Sequence, residues 1–385
     1  MAREYRYVSG DGHLEISPEQ WRHWVAPKYR HLAPRAIEMP DGSTGILAEN
    51  SAIYLREEHS PGVDPADWDR EKHVNLDEMP GGGPPEQRVR EMDLDGIDAE
   101  ILFPGSSTRM WDKISDKGAI PAIFYGYNEF LAKQYCAVAP DRLLAMGVMP
   151  TTGLVDAMAE LEHCAKLGLK GIVLRSWPNG STKLKPEDDR FWAAVTEMDM
   201  PVTVHGLPTP RGGEYLASRI CIPFTSQAGV VASFLAVNGV FDRFPKLQVY
   251  LAESLICWVP AFFANMDVFF KKYRFQYEKA EGLKPLERMP SEIIKEHCLW
   301  GFMDDRFGLE LLMLGYLPVE NAIWETDFPH KPTEWPHSME QIERIFAGVP
   351  EAQKRQLTAG NAIRYFHLDA AESTEMKAAA AHASA

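Results

Sequence analysis

The chain has 385 residues, 45% of them hydrophobic and 25% charged, a balance that supplies a large core and excludes a disordered chain. Forty basic against 55 acidic side chains leave a formal net charge of −15, so a broad nucleic-acid-binding face is excluded. No run approaches the roughly 20 apolar residues of a membrane span, so no membrane association is expected.

The five cysteines, Cys136, Cys164, Cys221, Cys257 and Cys298, are odd in number and form no Cys-x-x-Cys pair. Reduced thiols in a cytoplasmic protein are the expectation. The opening Met-Ala-Arg-Glu-Tyr-Arg-Tyr has no apolar stretch, so a secretory leader is not expected.

In chain order, Tyr7–Ser9 reads as a first strand ending in the glycine-flanked turn Gly10-Asp11-Gly12-His13. Asp11 and His13 are two residues apart, so on extended backbone both face one side. From about Glu15 to Arg90 the rhythm breaks into Pro, Gly and charge, with a small hairpin expected at Ile46–Leu55. An insertion of this length is expected to serve as a lid or an oligomer contact.

Regular alternation begins at the helix Arg88–Gly96 and the strand Ala99–Phe103, closed by Pro104. The long helix Ala119–Val138 precedes the strand Leu143–Met149. The helix Val155–Leu167 stops at Gly168, a residue suited to a left-handed C-cap. Next come the strand Lys170–Leu174 with Arg175 at its end, the helix Pro186–Met198, and the strand Pro201–Val204 followed by His205. The helix Gln227–Gly239 leads to the strand Leu247–Ala252 and Glu253. Trp258–Phe270 is helical, and Cys298–Gly301 is a strand followed by Asp304 and Asp305, read as a cap for the helix Arg306–Leu314. Ala322–Trp324 is the last strand, with Asp327 beyond it and Pro329 stopping its continuation.

Eight strands alternating with helices imply a parallel α/β sheet closed as a (β/α)8 TIM barrel with a long insertion after the first strand. One domain over residues 1–370 is expected, with a flexible Ala-rich tail at 371–385. Strand ends of such a barrel converge on one face. That would gather Asp11, His13, His205, Glu253, Asp327 and His330. Imidazoles and carboxylates at one point need a cation, and mixed N/O donors suit zinc first, with manganese or iron as alternatives.

Several segments together make the chain resemble the amidohydrolase-related family typified by aminocarboxymuconate semialdehyde decarboxylase, within the amidohydrolase superfamily. They are Asp11-Gly12-His13, Met92–Pro104, Pro140–Leu143, Pro201–Gly206, Gly239–Glu253, Thr326–His330 and Gly360–Ala362. The resemblance implies that Asp11, His13, His205 and Asp327 hold a catalytic divalent metal, and that Asp327 orients or deprotonates its water. Two positions depart from the pattern. Asp11 replaces the family's usual first histidine or glutamate on strand one, and Glu253 stands where the decarboxylases carry histidine, which adds a carboxylate able to ligate or to act as base.

A metal-activated water hydrolysing, or the same centre decarboxylating, a small organic acid or amide is the leading expectation. Arg175, Arg109 and Arg211 are candidates to clamp a substrate carboxylate, and Trp177 to close over it. Two alternatives remain open at this level. One is a dinuclear iron or iron–manganese oxygen-activating centre on the same fold. The other is a non-catalytic subunit supporting a paralogue. A homodimer or such a hetero-oligomer is expected in either case.

Overall fold

The first strand, β1 (Val8–Leu14), is buried along its whole length. It does not turn at Gly10. It runs through Gly-Asp-Gly-His, and a register shift between Ser9 and Gly12 takes up the extra residue as a bulge. Gly10 is needed there: a Cβ at this position would lie 2.6 Å from both Ile323 Cγ2 and the Tyr250 hydroxyl. The computed structural model describes residues 3–54, 61–64, 66, 74–205 and 227–368. The expected tail therefore falls outside the described residues.

The insertion is more ordered than a single hairpin. β2 (Arg35–Glu38), β3 (Thr44–Ala48) and β4 (Ser51–Tyr54) form an antiparallel three-stranded meander. Its far end packs on the loop beyond Asp327. Gly81, at φ 80°, sits where a Cβ would come within 2.5 Å of Pro329 Cγ. No side chain fits that approach.

The helix that follows begins at Pro85, not Arg88, and ends at Asp95. Proline is tolerated at its first turn because that N–H has no intrahelical acceptor. Gly96, at φ 78°, closes it in the left-handed C-cap conformation. The remaining strands are parallel and buried: β5 (Ala99–Pro104), β6 (Leu143–Ala145), β7 (Gly147–Val148), β8 (Ile172–Leu174), β9 (Val202–Val204), β10 (Val249–Leu251), β11 (Cys298–Phe302) and β12 (Ala322–Trp324). Their continuous apolar runs are what a sheet covered on both faces requires.

One sheet is ordered β1-β5-β6 and the other β7-β8-β9-β10-β11-β12. The two meet at both ends. β6 and β7 are halves of the expected strand Leu143–Met149, interrupted at Met146. Beyond β12 the chain returns to β1 through a parallel bridge between Gly12 and Phe328. There the His13 N–H donates to the Phe328 carbonyl at 2.7 Å and the Asp327 N–H to the Asp11 carbonyl at 3.0 Å. The order is that of an eight-stranded (β/α)8 barrel.

The long helix is α-helical over Ala119–Phe130, then passes through a π-turn (Leu131–Tyr135) and a 3₁₀ turn (Cys136–Val138). Asp305 caps the helix Arg306–Met313 by accepting from the Gly308 N–H at 2.8 Å. Among the described cysteines, Cys136, Cys164, Cys257 and Cys298 are free thiols; Cys221 lies outside. Among the described residues no helix is long and apolar enough to cross a membrane.

Candidate metal centre

Four strands, β1, β9, β10 and β12, and the loop beyond β12 carry the cluster. Asp11 and His13 project from β1 on the same side, as alternation demands. His205 follows β9, Glu253 follows β10 and Asp327 follows β12. Glu253 (φ 49°) and Asp327 (φ 53°) both sit in left-handed backbone, a conformation costing a side-chain-bearing residue about 1–3 kcal/mol. That strain turns each carboxylate inward at the point where its strand ends.

His13 Nε2 is the hub. It lies 3.3 Å from Asp11 Oδ1, 3.1 Å from Glu253 Oε1 and 3.4 Å from Asp327 Oδ1. Its Nδ1 lies 3.2 Å from the Pro104 carbonyl, which fixes the ring and leaves Nε2 facing the cluster. His205 Nε2 is 3.5 Å from Glu253 Oε1. Ligand-type atoms of Asp11, His13, His205 and Glu253 fall within 4.8 Å of one another, and so do those of His13, Glu253, Asp327 and His330. The expected neighbours are therefore together.

The chemistry of these donors fits a divalent cation. Both carboxylate oxygens of Asp11 are fully buried and lack a hydrogen-bond donor, and a buried anion in that state is stable only beside a positive charge. The cluster recruits such charge onto its imidazoles. Burial and His330 push His13 down, yet Asp11 and Glu253 override them and raise it to about 10. Burial likewise opposes protonation of His330, but Asp327, Glu15 and Glu253 lift it to about 12. Burial, with the nearby charges of Glu253 and Asp11, raises Asp327 to about 7 against the pull of His330 and His13. Glu253 is driven the other way: burial is outweighed by hydrogen bonds to His13, His205 and His330, which hold it far below the carboxylate range. A divalent ion could be held by Asp11, His13, His205 and Glu253 or by His13, Glu253, Asp327 and His330; the expected set Asp11, His13, His205 and Asp327 is divided between these groups, which share His13 and Glu253.

His330 belongs to this cluster. Its ring stacks on His13 at 3.9 Å between centroids, and its Nδ1 lies 3.1 Å from Asp327 Oδ1. Its Nε2 is 3.1 Å from Glu15 Oε1. Glu15 escaped notice in the sequence, although it continues the 11-13-15 alternation that picks out Asp11 and His13. Ser106 donates to it through both N–H (2.6 Å) and hydroxyl (2.7 Å). Against its burial, His330 and Ser106 lower it to about 2. Glu325 was missed as well. It is wholly buried beneath the cluster, accepting from the Tyr250 hydroxyl at 2.6 Å and the Glu253 N–H at 2.9 Å. Burial and the charge of Asp11 raise its pKa well above the ordinary value. Its place two residues before Asp327, on one side of an extended chain, was the available signal.

The remaining candidates are placed otherwise. The Arg175 guanidinium donates to the Thr108 carbonyl at 2.6 Å and pairs with Asp112 at 3.2 Å. Arg109, on the same turn, is exposed. Arg211 lies outside the described residues. Trp177 is not a solvent-facing cover: it is packed in the core edge-on to Trp192, with its indole N–H donating to the Thr182 carbonyl. The side chain of His337 is exposed beside Glu340, and Asp304 pairs on the surface with Arg344.

Residues 11–368 match the Amidohydrolase family. The gamma-resorcylate decarboxylase of Rhizobium radiobacter is 28% identical over 342 residues, covering 84% of this chain and 98% of that protein. Among solved structures, an amidohydrolase from Mycobacterium avium subsp. paratuberculosis K-10 superposes with a TM-score of 0.71 at 17% identity, covering 97% and 100% of the two chains. The manganese-bound 5-carboxyvanillate decarboxylase of Novosphingobium aromaticivorans superposes with a TM-score of 0.64 at 18% identity, covering 96% and 100%. The Rhizobium radiobacter relative is a decarboxylase, which fits the hydrolase or decarboxylase expectation rather than either alternative. With the match running almost end to end over a barrel that carries the divalent-ion donor set, the chain belongs to the Amidohydrolase family and is a metal-dependent enzyme of its hydrolase or carboxy-lyase kind.

Proposed function

We propose that the chain is a divalent-metal-dependent decarboxylase of a small hydroxylated aromatic acid. The observation that carries the metal dependence is the Asp11 carboxylate, buried with both oxygens lacking a donor beside His13, His205 and Glu253. The relatives are gamma-resorcylate decarboxylases matched over 98% of their length, and their activity supports the carboxy-lyase direction.

A divalent ion in this cluster supplies charge neutralisation and Lewis-acid polarisation of a substrate oxygen. The chain's own residues do the rest. Loss of CO2 breaks a carbon–carbon bond, leaves its electron pair on the ring carbon and requires a proton there. Asp327, with Oδ1 3.1 Å from His330 Nδ1 and facing the cluster, is the group placed to relay that proton. His330, bonded to Asp327 on one side and Glu15 on the other, orients that carboxyl. Glu253 serves as ligand or as base. Arg109, beside Arg175, is the exposed cation nearest in sequence for a second acidic group of the substrate, and Arg211 remains a candidate. The insertion, seated on the loop beyond Asp327 through Gly81 and Pro329, covers the mouth.

Manganese is the first ion to test, zinc the second. Exposed Phe275 and Val268 on the helix Val259–Glu281 support a homodimer or a paralogous partner, and the free thiols support a cytoplasmic setting. The test is CO2 release from a panel of dihydroxybenzoates and carboxylated hydroxyaryl acids. Turnover is expected to vanish on chelation and return with manganese or zinc. Chelator-resistant turnover, or activity confined to amide hydrolysis, overturns the proposal.

A further inference from the structure

We infer that Arg88 is a positioning residue for the metal centre: its guanidinium sets the spacing between the two backbone segments that carry Asp11, His13 and Asp327. The inference rests on the metal-binding reading of that cluster.

Arg88 comes from the helix Pro85–Asp95, yet its side chain is 1% exposed. Each of its nitrogens has a partner at the seam between β1 and the end of β12. Nη1 donates to the His13 carbonyl at 3.0 Å and Nη2 to the Phe328 carbonyl at 3.1 Å. Nε donates to Glu100 Oε2 at 2.6 Å, on β5. The guanidinium also lies over the Phe328 ring, 4.4 Å from its centroid. The Phe328 carbonyl thus accepts twice, from Arg88 and from the His13 N–H. A planar fork has fixed angles between its N–H bonds, so the His13 carbonyl of β1, the Phe328 carbonyl in the segment beyond β12 and the Glu100 carboxylate from β5 are held in one fixed arrangement.

Charge does not explain the arrangement. A cation near a metal site opposes metal binding, but Glu100 neutralises this one at contact distance. What remains is geometry. Gly12, between the two β1 ligands, has the space for it: a Cβ there would lie 2.7 Å from Arg88 Nη2. The same helix also holds the insertion and the loop past Asp327. Glu91 accepts the Gly81 N–H at 3.1 Å, and its carbonyl accepts the Trp335 indole N–H at 3.2 Å.

Arg142 provides an internal control. It makes the same kind of clamp on the loop just before β5, touching no segment that carries Asp11, His13 or Asp327: it donates to the Asp98 and Ile97 carbonyls at 3.0 and 2.9 Å and to Asp93 at 2.7 Å. Lysine at either position keeps the charge and loses the fork. The full chain, stripped of metal, is titrated with manganese or zinc against a fluorescent chelator, and Tm is read on the same metal-free proteins. Arg88→Lys and Arg142→Lys both lower Tm, but only Arg88→Lys weakens metal binding, by about tenfold or more, as loss of a group orienting metal ligands does. Gly12→Ala, which displaces the guanidinium without changing charge, weakens it in the same direction and decides the matter if Arg88→Lys does not fold. Wild-type affinity in Arg88→Lys or Gly12→Ala overturns the inference, as does an equal loss in Arg142→Lys. A wild-type chain that takes up no metal removes the metal reading itself.

Discussion

The two mouths of the barrel are built on opposite terms. At the metal end, Asp11 is buried without a donor, Glu253, Leu255 and Asp327 occupy left-handed backbone, and carboxylates crowd three imidazoles. At the other end polar groups are matched. The Tyr365 hydroxyl donates to the Val202 carbonyl at 2.6 Å and accepts the Val202 and Tyr250 N–H groups at 3.0 and 3.1 Å, joining β9 to β10. The Asn361 amide donates to the Val319 and Ala322 carbonyls, both at 2.7 Å, and His297 Nδ1 lies 2.6 Å from the Leu247 carbonyl. Unpaired carboxylate charge is concentrated at the candidate metal end, whereas left-handed backbone is not confined to it, since Asp199 and His367 adopt it at the other mouth.

Substitutions at the two mouths should therefore separate activity from stability. The largest effect is expected from Asp327→Asn: turnover falls by at least about 100-fold and metal content drops, while the melting temperature stays close to wild type because one crowded carboxylate is gone. Assay, elemental analysis and calorimetry on one preparation check it, and full activity would sink the site.

Tyr365→Phe reverses the pattern. It leaves two buried N–H groups without their acceptor, so unfolding free energy drops by about 1–3 kcal/mol, while turnover per folded molecule at 25 °C is unchanged. Chemical denaturation with a parallel rate measurement reads both.

A smaller effect comes from His297. Burial holds its pKa below the ordinary 6.5 in the folded protein, only partly offset by the Leu247 carbonyl. The unfolded chain takes up that proton first, so this contribution to stability is present above 6.5 and lost as pH falls below it. Melting temperature should decline between about pH 7 and 5, and His297→Gln should flatten that part of the curve. A curve identical to wild type would show that another group governs this range.

The smallest is Asp304→Asn. Its pair with Arg344 is half exposed at 3.0 Å, so stability should change by no more than about 0.5 kcal/mol with activity untouched. A marked loss of turnover would place Asp304 in the site.

Much of this was legible in the chain. Short apolar runs and helical periods marked eight strands in their order, because strands of a covered sheet are mostly apolar. Asp11, His13, His205, Glu253 and Asp327 stood out as polar groups closing those runs. Glu15 and Glu325 were harder to read. Each looks like an ordinary charged residue in a polar neighbourhood, and its burial depends on partners, His330 and Tyr250, that are 315 and 75 residues away.

Sequence alone determined the alternation, the polar residues at the strand ends and the acidic balance, since these follow from local periodicity and residue chemistry. Only the tertiary structure decided that β1 runs on through Gly12, that Trp177 is core, that His330 stacks on His13, and that Arg88 joins β1, β5 and the segment beyond β12. Those facts depend on which distant segments the closing barrel brings within hydrogen-bond range, and no local pattern in the chain encodes that distance.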